Sequence, residues 1–469
     1  MSFGEAQNLH IVTAPLHTAL RTAAFDMPSP VYGLLLHAAT AVFGDDANVA
    51  RSFSLVCSVA SLALLWHLGR GIAGLSAAMV AVLLFTTNPF VFRAATEIGP
   101  SALAMTMALG VWAAAHRSIR RPSATTYAVT AILTSALVLT TAWGAFIAGA
   151  GILAIAIDRN HPRMVTRRST IIAVTVGMAA ALPWVATFVP DLMRADMFWG
   201  RPEWPIDAVT ITLTAWGGGR AGEAQLLGAG LGLFTLIGLL GTRTPEGAVE
   251  LGFPLTSQVR SAVLAAGMAF AFATVASAPL GVPFSTRNTA ALVPVAIIAT
   301  SYALSLFPGR ARAVILTGFV LLGAVGVAQD MTEDRSQAAQ IASAVTLHAR
   351  SGDFVVFCPD QLGPAIVDDL PAGVRPMGFP DGTVPAVVSW RGYRERIRAA
   401  DVTDFARAVD ERSAGHAIWL VAAGGYRGFG DVCGELIHEF ERNNGTGAQL
   451  VLPRPEITEG ALLIQFPPL

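Results

Sequence analysis

The sequence predicts a polytopic α-helical membrane protein of about ten spans, followed by a C-terminal α/β domain. Hydrophobic residues make up 53% of its 469 residues and charged residues only 13%. That charged fraction is about half of what soluble globular chains carry. Most of the charge lies in a few loops and in the last third of the chain. There, after residue 330, strands alternate with helices, which predicts a folded α/β domain.

Residues 1–50 contain two segments of helical character. Between Pro28 and Phe43 lies an apolar stretch of about fifteen residues, which is short for a span and typical of an interfacial or re-entrant helix. Residues 9–21 show a weaker amphipathic pattern. We therefore predict an external lid of helices lying on the membrane. An exported lid normally follows a membrane helix. We therefore expect that a first helix precedes this sequence; the alternative is that export of the lid relies on the next helix.

Ten apolar runs of about 16 to 22 residues fill residues 51–329, and each is long enough to cross a bilayer core. They lie near 52–70, 74–92, 100–116, 125–141, 143–158, 168–188, 222–241, 260–279, 289–308 and 312–329. The two runs between 125 and 158 are hardly broken, and only Trp143 and Gly144 mark the predicted tip of the hairpin that joins them. We predict that residues 51–329 form the transmembrane domain.

Arginine placement predicts the orientation of the chain. The basic loops at 116–121, 159–168 and 309–312 all fall on one face, and short arginine-rich loops mark the cytoplasmic side. The opposite face then receives the lid and residues 330–469. We predict a multi-pass protein of a bacterial plasma membrane with an extracytoplasmic C-terminal domain.

The C-terminal domain is predicted to contain a mainly parallel sheet with helices packed on it. Strands are expected at 354–357, 374–378, 417–422, 448–452 and 461–466, and helices at 336–350, 362–369, 401–413 and 428–443. No G-x-G-x-x-G follows either apolar strand, so nucleotide binding is not predicted. The net charge of −1 gives no indication of nucleic-acid binding.

Cys358 and Cys433 are candidates for a disulfide bond. Cys358 ends a predicted strand, and Cys433 lies in the first turns of the helix that follows the neighbouring strand. In a parallel layer these positions share one edge of the sheet, and an oxidising compartment favours pairing. The alternative is two buried free thiols.

Ionisable residues at membrane level are functional candidates by default, because they are costly there. The candidates cluster on the predicted outer face: Glu5, Asp26, His37, Arg93, Glu97 and Arg287. Arginines there are suited to hold a lipid-linked phosphate, and a carboxylate is suited to act as general base. No metal site and no cofactor are predicted.

Each candidate also has a structural alternative. Arg93 and Glu97 are spaced as a helical ion pair, Arg287 as an interfacial anchor, and Asp26 as a helix cap. A histidine on an apolar face, such as His37, is commonly packed. A transporter would show ionisable residues at mid-membrane and internal repeats, and the sequence shows neither.

The order of several short motifs resembles the GT-C glycosyltransferase superfamily over almost the whole chain. The stretch from Asp26 to His37 reads D-M-P-S-P-V-Y-G-L-L-L-H, similar to the lid motif P-P-L-Y-Y-L-L-L-H. The segment from Asn88 to Glu97 is similar to N-P-F followed by S-Q-E-A-R. The segment at 283–288, with Arg287, resembles a late R-Y loop, and parts of the C-terminal region resemble actinobacterial members.

The resemblance implies an enzyme that takes a sugar from a polyprenyl-phosphate carrier on the outer leaflet and passes it to an acceptor with inversion. Protein O-mannosyltransferases and aminoarabinose transferases are members. An acidic residue of the first external loop is the base, which implies Asp26 or Glu5 here. Basic residues bind the carrier phosphate, which implies Arg93 and Arg287, with Glu97, His37 and Tyr32 as further carrier or substrate contacts.

Two departures from the superfamily pattern bear on activity. The acidic pair of the lid usually reads D-E-A, and here it reads G-E-A, with Gly4 in place of the aspartate. The arginine that follows the glutamate of S-Q-E-A-R is Gly99 here. The expected function is transfer of a sugar, mannose or arabinose for instance, to a cell-wall glycan, glycolipid or protein. The alternative is an inactive lipid-binding or scaffolding subunit that kept the fold.

Overall fold

The computed structural model describes most of the chain. The described residues are 1–15, 17, 29–141, 143–157, 164–195, 203–219, 222–244, 249–252, 258–280, 284–424, 429–454, 457 and 459–468. Asp26 and part of the predicted helix at 9–21 lie outside them.

In the described residues, two helices precede the bundle, α1 (Phe3–Thr13) and α2 (Pro30–Phe43). A capping box starts α1: the Ser2 hydroxyl accepts from the Glu5 amide, and the Glu5 carboxylate accepts from the Ser2 amide. The His37 ring of α2 lies 2.6 Å from the Val12 carbonyl oxygen of α1. The lid predicted from the sequence is therefore helical at both of its described ends.

All ten predicted spans are helical in the described residues. The bundle comprises α3 (Ala47–Ile72), α4 (Leu75–Thr86), α5 (Pro89–Thr96), α6 (Ser101–Arg120), α7 (Ala124–Thr140), α8 (Gly144–Ile157), α9 (Met164–Ala195), α10 (Pro205–Trp216), α11 (Gly222–Leu240), α12 (Gln258–Leu280), α13 (Val293–Leu306) and α14 (Gly309–Thr332). By length and composition, six of the described helices are able to cross a membrane, or seven if α4 and α5 form one broken span.

The second predicted span is broken rather than continuous. Helices α4 and α5 meet at an angle of 61°. Asn88 caps α5 by accepting from the Val91 amide at 3.0 Å, and its own amide donates to the Trp216 carbonyl at 2.9 Å. Pro89, at the first helical position, starts a new helix because proline cannot continue the previous one. The break directs α5 toward the C-terminal domain.

The C-terminal domain contains a five-stranded sheet. Its elements are α15 (Ala338–His348), β3 (Phe354–Cys358), β4 (Arg375–Gly378), α16 (Tyr393–Ala399), α17 (Val402–Ser413), β5 (Ile418–Ala422), α18 (Val432–Asn444), β6 (Ala448–Val451) and β7 (Leu462–Phe466), and a hairpin of β1 (Gly241–Arg243) and β2 (Val249–Leu251) lies in the bundle. The strand order is β4-β3-β5-β7-β6. Every residue of β3 and β5 is buried.

The sheet is mixed, and the expectation of a mainly parallel sheet holds for half of it. Strand β3 pairs in parallel with β4 and β5, whereas β7 pairs antiparallel with β5 and β6. The reason is that the described residues between β6 and β7 form no helix, and a short connection returns the chain antiparallel. The helix predicted at 362–369 is two short 3-10 turns, because Pro364 interrupts it.

The described structure pairs Cys358 with Cys433, and their Cα atoms are 5.6 Å apart. This separation lies within the range that a disulfide bridges. The third cysteine, Cys57, is buried and free.

Removing this bond in the double variant Cys358→Ser/Cys433→Ser should destabilise the C-terminal domain. The bond joins residues 75 apart, and the chain-entropy model assigns such a loop about 4 kcal/mol. Chemical denaturation of the protein with and without reductant measures the effect. Thiol labelling of the unfolded, unreduced wild type should modify Cys57 alone; labelling of all three cysteines would contradict the pairing.

Helix α1 is held between the bundle and the C-terminal domain. Phe3 packs in the hydrophobic core of the C-terminal domain. The Gln7 side chain donates to the Val388 carbonyl at 2.9 Å and accepts from the Val388 amide at 3.0 Å. Helix α1 is therefore anchored on the C-terminal domain.

Candidate functional site

A cavity of about 780 Å³ lies where the bundle meets the C-terminal domain. Its lining comes from the ends of α5, α10 and α14, from the 3-10 turn at 286–292, and from the segment that leads into α15. The ionisable residues of the lining are Arg93, Glu97, Arg287, Asp330, Glu333, Asp334, Arg335 and Glu459. Three of the candidates found in the sequence, Arg93, Glu97 and Arg287, thus share one cavity.

Arg93 pairs across the bundle with Asp330 at the end of α14. Its Nε lies 2.6 Å from Oδ1 of Asp330, and its Nη2 contacts the same oxygen. The Arg93 side chain stays 40% exposed. The structure therefore does not form the helical ion pair between Arg93 and Glu97 that the spacing allows, and both residues have partners elsewhere.

Glu97 pairs with Arg287. The distance from Arg287 Nη2 to Glu97 Oε1 is 3.0 Å. Glu97 ends helix α5 as its C-cap, and the Ser54 hydroxyl of α3 donates to its backbone carbonyl at 2.7 Å. The Arg287 side chain is 57% exposed, so most of its N–H donors remain open to a ligand in the cavity.

Glu5 lies behind this cavity, with no exposed side-chain surface. Its Oε1 accepts from the Ile98 amide at 3.0 Å and from Arg335 Nη1 at 3.2 Å, and Arg51 Nε lies 3.7 Å away. Its Oε2 accepts from the Ser2 amide. Burial by itself would raise the pKa of Glu5, but the two amides and the two arginines outweigh it, and the pKa is lowered.

This environment makes Glu5 an ionised anchor of the lid. Both carboxylate oxygens already accept hydrogen bonds, and a base needs an oxygen within reach of the acceptor hydroxyl. The role of Glu5 as base stays a prediction, and nothing in its contacts favours it.

Gly4 faces the cavity side of α1. A Cβ atom built on it would lie 3.7 Å from Nη1 of Arg287, which is an ordinary van der Waals contact. A side chain at this position would therefore project toward Arg287 and its partner Glu97. Gly4, which stands where the resemblance leads us to expect an aspartate, therefore lies next to the cavity.

Other candidates lie away from the cavity. Tyr32 is fully buried and its ring packs 5.8 Å from that of Phe53, and His37 contacts the Val12 carbonyl. Neither lines the cavity: Tyr32 packs against a ring of α3, and His37 contacts α1. Their role as carrier or substrate contacts stays a prediction. Asp26 lies outside the described residues, and its role stays a prediction.

Among the cavity residues that were not singled out in the sequence are Asp330, Arg335 and Glu459. Arg335 donates to the Thr96 hydroxyl at 2.7 Å as well as to Glu5. The charged run at 330–335, directly after the last span, is the signal that identifies the first two. Glu459 lies between β6 and β7 of the C-terminal domain, and no sequence pattern connects it to the helix ends that line the cavity.

Glycines shape one wall of the cavity. Gly218 has a φ of +113°, and a Cβ on it would lie 2.8 Å from Pro89. A Cβ on Gly326 of α14 would lie 2.5 Å from the same proline. These glycines let α14 and the turn after α10 approach α5 closely, which brings Asp330 to Arg93.

Comparison with solved structures shows a shared fold over almost the whole chain. ArnT from Cupriavidus metallidurans, in the apo state, is similar over 98% of this chain and 93% of its own, with 12% identity and a TM-score of 0.58. The same protein bound to undecaprenyl phosphate has a TM-score of 0.59 at the same coverage and identity. Residues 26–186 match the family described as dolichyl-phosphate-mannose-protein mannosyltransferase. No curated protein matches by sequence.

Proposed function

We propose that the protein is an integral-membrane glycosyltransferase that moves a sugar from a polyprenyl-phosphate carrier to an extracytoplasmic acceptor. One observation carries the proposal: two partly exposed arginines, Arg93 and Arg287, line a single polar cavity at the ends of the helices, beside several carboxylates. The acceptor is a cell-wall glycan, a glycolipid or a protein.

The arginines are suited to bind the carrier phosphate. A guanidinium has five N–H donors, and Arg287 gives one nitrogen to Glu97 while more than half of its side chain stays exposed. A phosphate oxygen accepts such donors in a bidentate fashion. The structure of ArnT bound to undecaprenyl phosphate supports a lipid phosphate as the ligand of this fold.

The proposed reaction needs a base and a stabilised leaving group. A carboxylate removes the proton of the acceptor hydroxyl, whose oxygen attacks the anomeric carbon of the sugar from the face opposite the phosphate. The bond from that carbon to the phosphate oxygen breaks, and the phosphate leaves with the electron pair. The arginines stabilise the negative charge that develops on the leaving phosphate.

The inactive subunit remains a second candidate, because Gly4 removes a carboxylate from the position that faces Arg287. In that case the cavity would bind the carrier phosphate without transferring the sugar. The two candidates share the binding step and differ in the chemical step.

A transfer assay with purified protein in lipid tests the proposal. Labelled polyprenyl-phosphate mannose and arabinose are the donors, and cell-wall fragments and glycolipids are the acceptors. We expect transfer by the wild type, dependent on the polyprenyl phosphate. If the wild type binds the carrier but transfers no sugar, and Gly4→Asp does transfer it, the inactive subunit is the correct function.

We also propose that the cavity faces the outside of a bacterial plasma membrane. The arginine-rich loops at the opposite helix ends support this orientation, and so does the disulfide bond of the C-terminal domain. Reporter fusions after residue 160 and after residue 340 should give opposite signals, and equal signals would contradict the topology.

A further inference from the structure

We propose that Glu459, supplied by the C-terminal domain, is the general base of this protein and takes the place of the carboxylate that is missing at position 4. The assignment rests on the proposed function and concerns its chemical step alone.

Glu459 lies beside the start of α1, next to the residue that carries the vacant position. Its Oε2 accepts from the Phe3 amide at 2.6 Å, and Phe3 directly precedes Gly4. The Cβ direction of Gly4 points to Arg287, and Glu459 lines the same cavity as Arg287. The carboxylate of Glu459 is therefore attached to the start of the helix from which a residue-4 carboxylate would project.

Glu5, Asp330 and Glu97 each pair with an arginine. Glu5 accepts from Arg335 and from two amides. Asp330 pairs with Arg93, and Glu97 pairs with Arg287. The hydrogen bond that Glu459 makes within the described part of the chain comes instead from a backbone amide and uses Oε2. Its Oε1 stays available to an acceptor hydroxyl, and no arginine is bonded to the carboxylate in the described residues.

Its surroundings also favour a base. Burial raises the pKa of Glu459, Glu97 and Glu5 raise it further, and Arg287 and the Phe3 amide oppose this shift without cancelling it. A carboxylate with a raised pKa binds a proton more strongly and is the better general base near neutral pH. In the step, Glu459 takes the proton from the acceptor hydroxyl while the sugar–phosphate bond breaks as described above.

The test compares Glu459→Gln with the wild type and with Glu411→Gln, an exposed glutamate of α17. Glutamine keeps a carbonyl oxygen that accepts from the Phe3 amide, so the lid should stay in place. We expect Glu459→Gln to lower kcat at least about a hundredfold with unchanged binding of polyprenyl phosphate, and Glu411→Gln to leave kcat unchanged.

The double variant Gly4→Asp/Glu459→Gln is the most discriminating test. A carboxylate restored at position 4 should make kcat of the double variant at least about tenfold higher than kcat of Glu459→Gln. A purely structural role of Glu459 would not allow this gain. The wild-type rate of sugar transfer should fall as the pH drops through the pKa of Glu459. In the double variant, this acidic limb of the pH–rate profile should shift.

The outcomes separate the two proposals. Full activity of Glu459→Gln in the presence of an active wild type would overturn this assignment and leave the proposed function intact. Loss of activity that Gly4→Asp does not reverse would make Glu459 a structural residue. No transfer by the wild type, with any donor and acceptor, would overturn both proposals.

Discussion

Replacing Arg287 with alanine should lower the rate of sugar transfer by about a hundredfold or more. Arg287 is more exposed than Arg93 and Arg335, the other ion-paired arginines described in the cavity, and it lies between Glu97 and the position of residue 4. Loss of one donor that stabilises a developing anion typically costs a factor of about 100 to 1000 in kcat. The variant would also leave Glu97 without its arginine.

Arg287→Lys separates geometry from charge. Lysine keeps the positive charge but not the planar fork that binds two oxygens at once, so we expect it to recover only part of the rate. Arg310→Ala, at an exposed position at the start of α14, is the matched control and should transfer normally. If Arg287→Ala keeps the wild-type kcat and carrier affinity, this arginine is an interfacial anchor and does not bind the carrier phosphate.

Replacing Glu5 with alanine should destabilise the protein by about 3 kcal/mol or more. Removal of one partner from a buried charge network leaves the other charges uncompensated. Here Arg335, Arg51 and the Ile98 amide would lose their common acceptor. Thermal unfolding in lipid measures the effect, and we expect the exposed control Glu411→Ala to unfold as the wild type does.

The pH dependence of this contribution has a defined sign. The pKa of Glu5 is lowered in the folded protein, so its stabilisation is complete above the ordinary pKa of a glutamate and is lost as the pH falls through the lowered value. Glu5→Gln distinguishes this role from that of a base. A base variant would lose kcat with an unchanged melting temperature, whereas an anchor variant would lose stability first.

The helices of the bundle could be predicted because each apolar run is long and bounded by polar residues. The runs that became α3 and α14 are examples. The break between α4 and α5 was harder to predict, because it depends on the contact of Asn88 with Trp216, 128 positions away. The antiparallel direction of β7 was not predicted, because alternation along the chain does not specify strand direction.

The site was predicted in part. Arg93, Glu97 and Arg287 could be predicted to lie together because the sequence places all three at span ends on the same predicted face. Their pairing was not predictable, since the partner of Arg93 is Asp330 and not the glutamate four residues later. The position of Glu459 follows from how the C-terminal domain packs on α1, and that arrangement has no local sequence signal.

The central claim is that the cavity between the bundle and the C-terminal domain binds the phosphate of a lipid carrier. A structure of the protein in lipid with bound undecaprenyl phosphate tests this most directly. We predict that the phosphate oxygens lie within about 3 Å of the guanidinium nitrogens of Arg287 or Arg93, with the prenyl chain leaving toward the membrane. A phosphate bound outside this cavity, with both arginines still engaged only by Glu97 and Asp330, would contradict the claim.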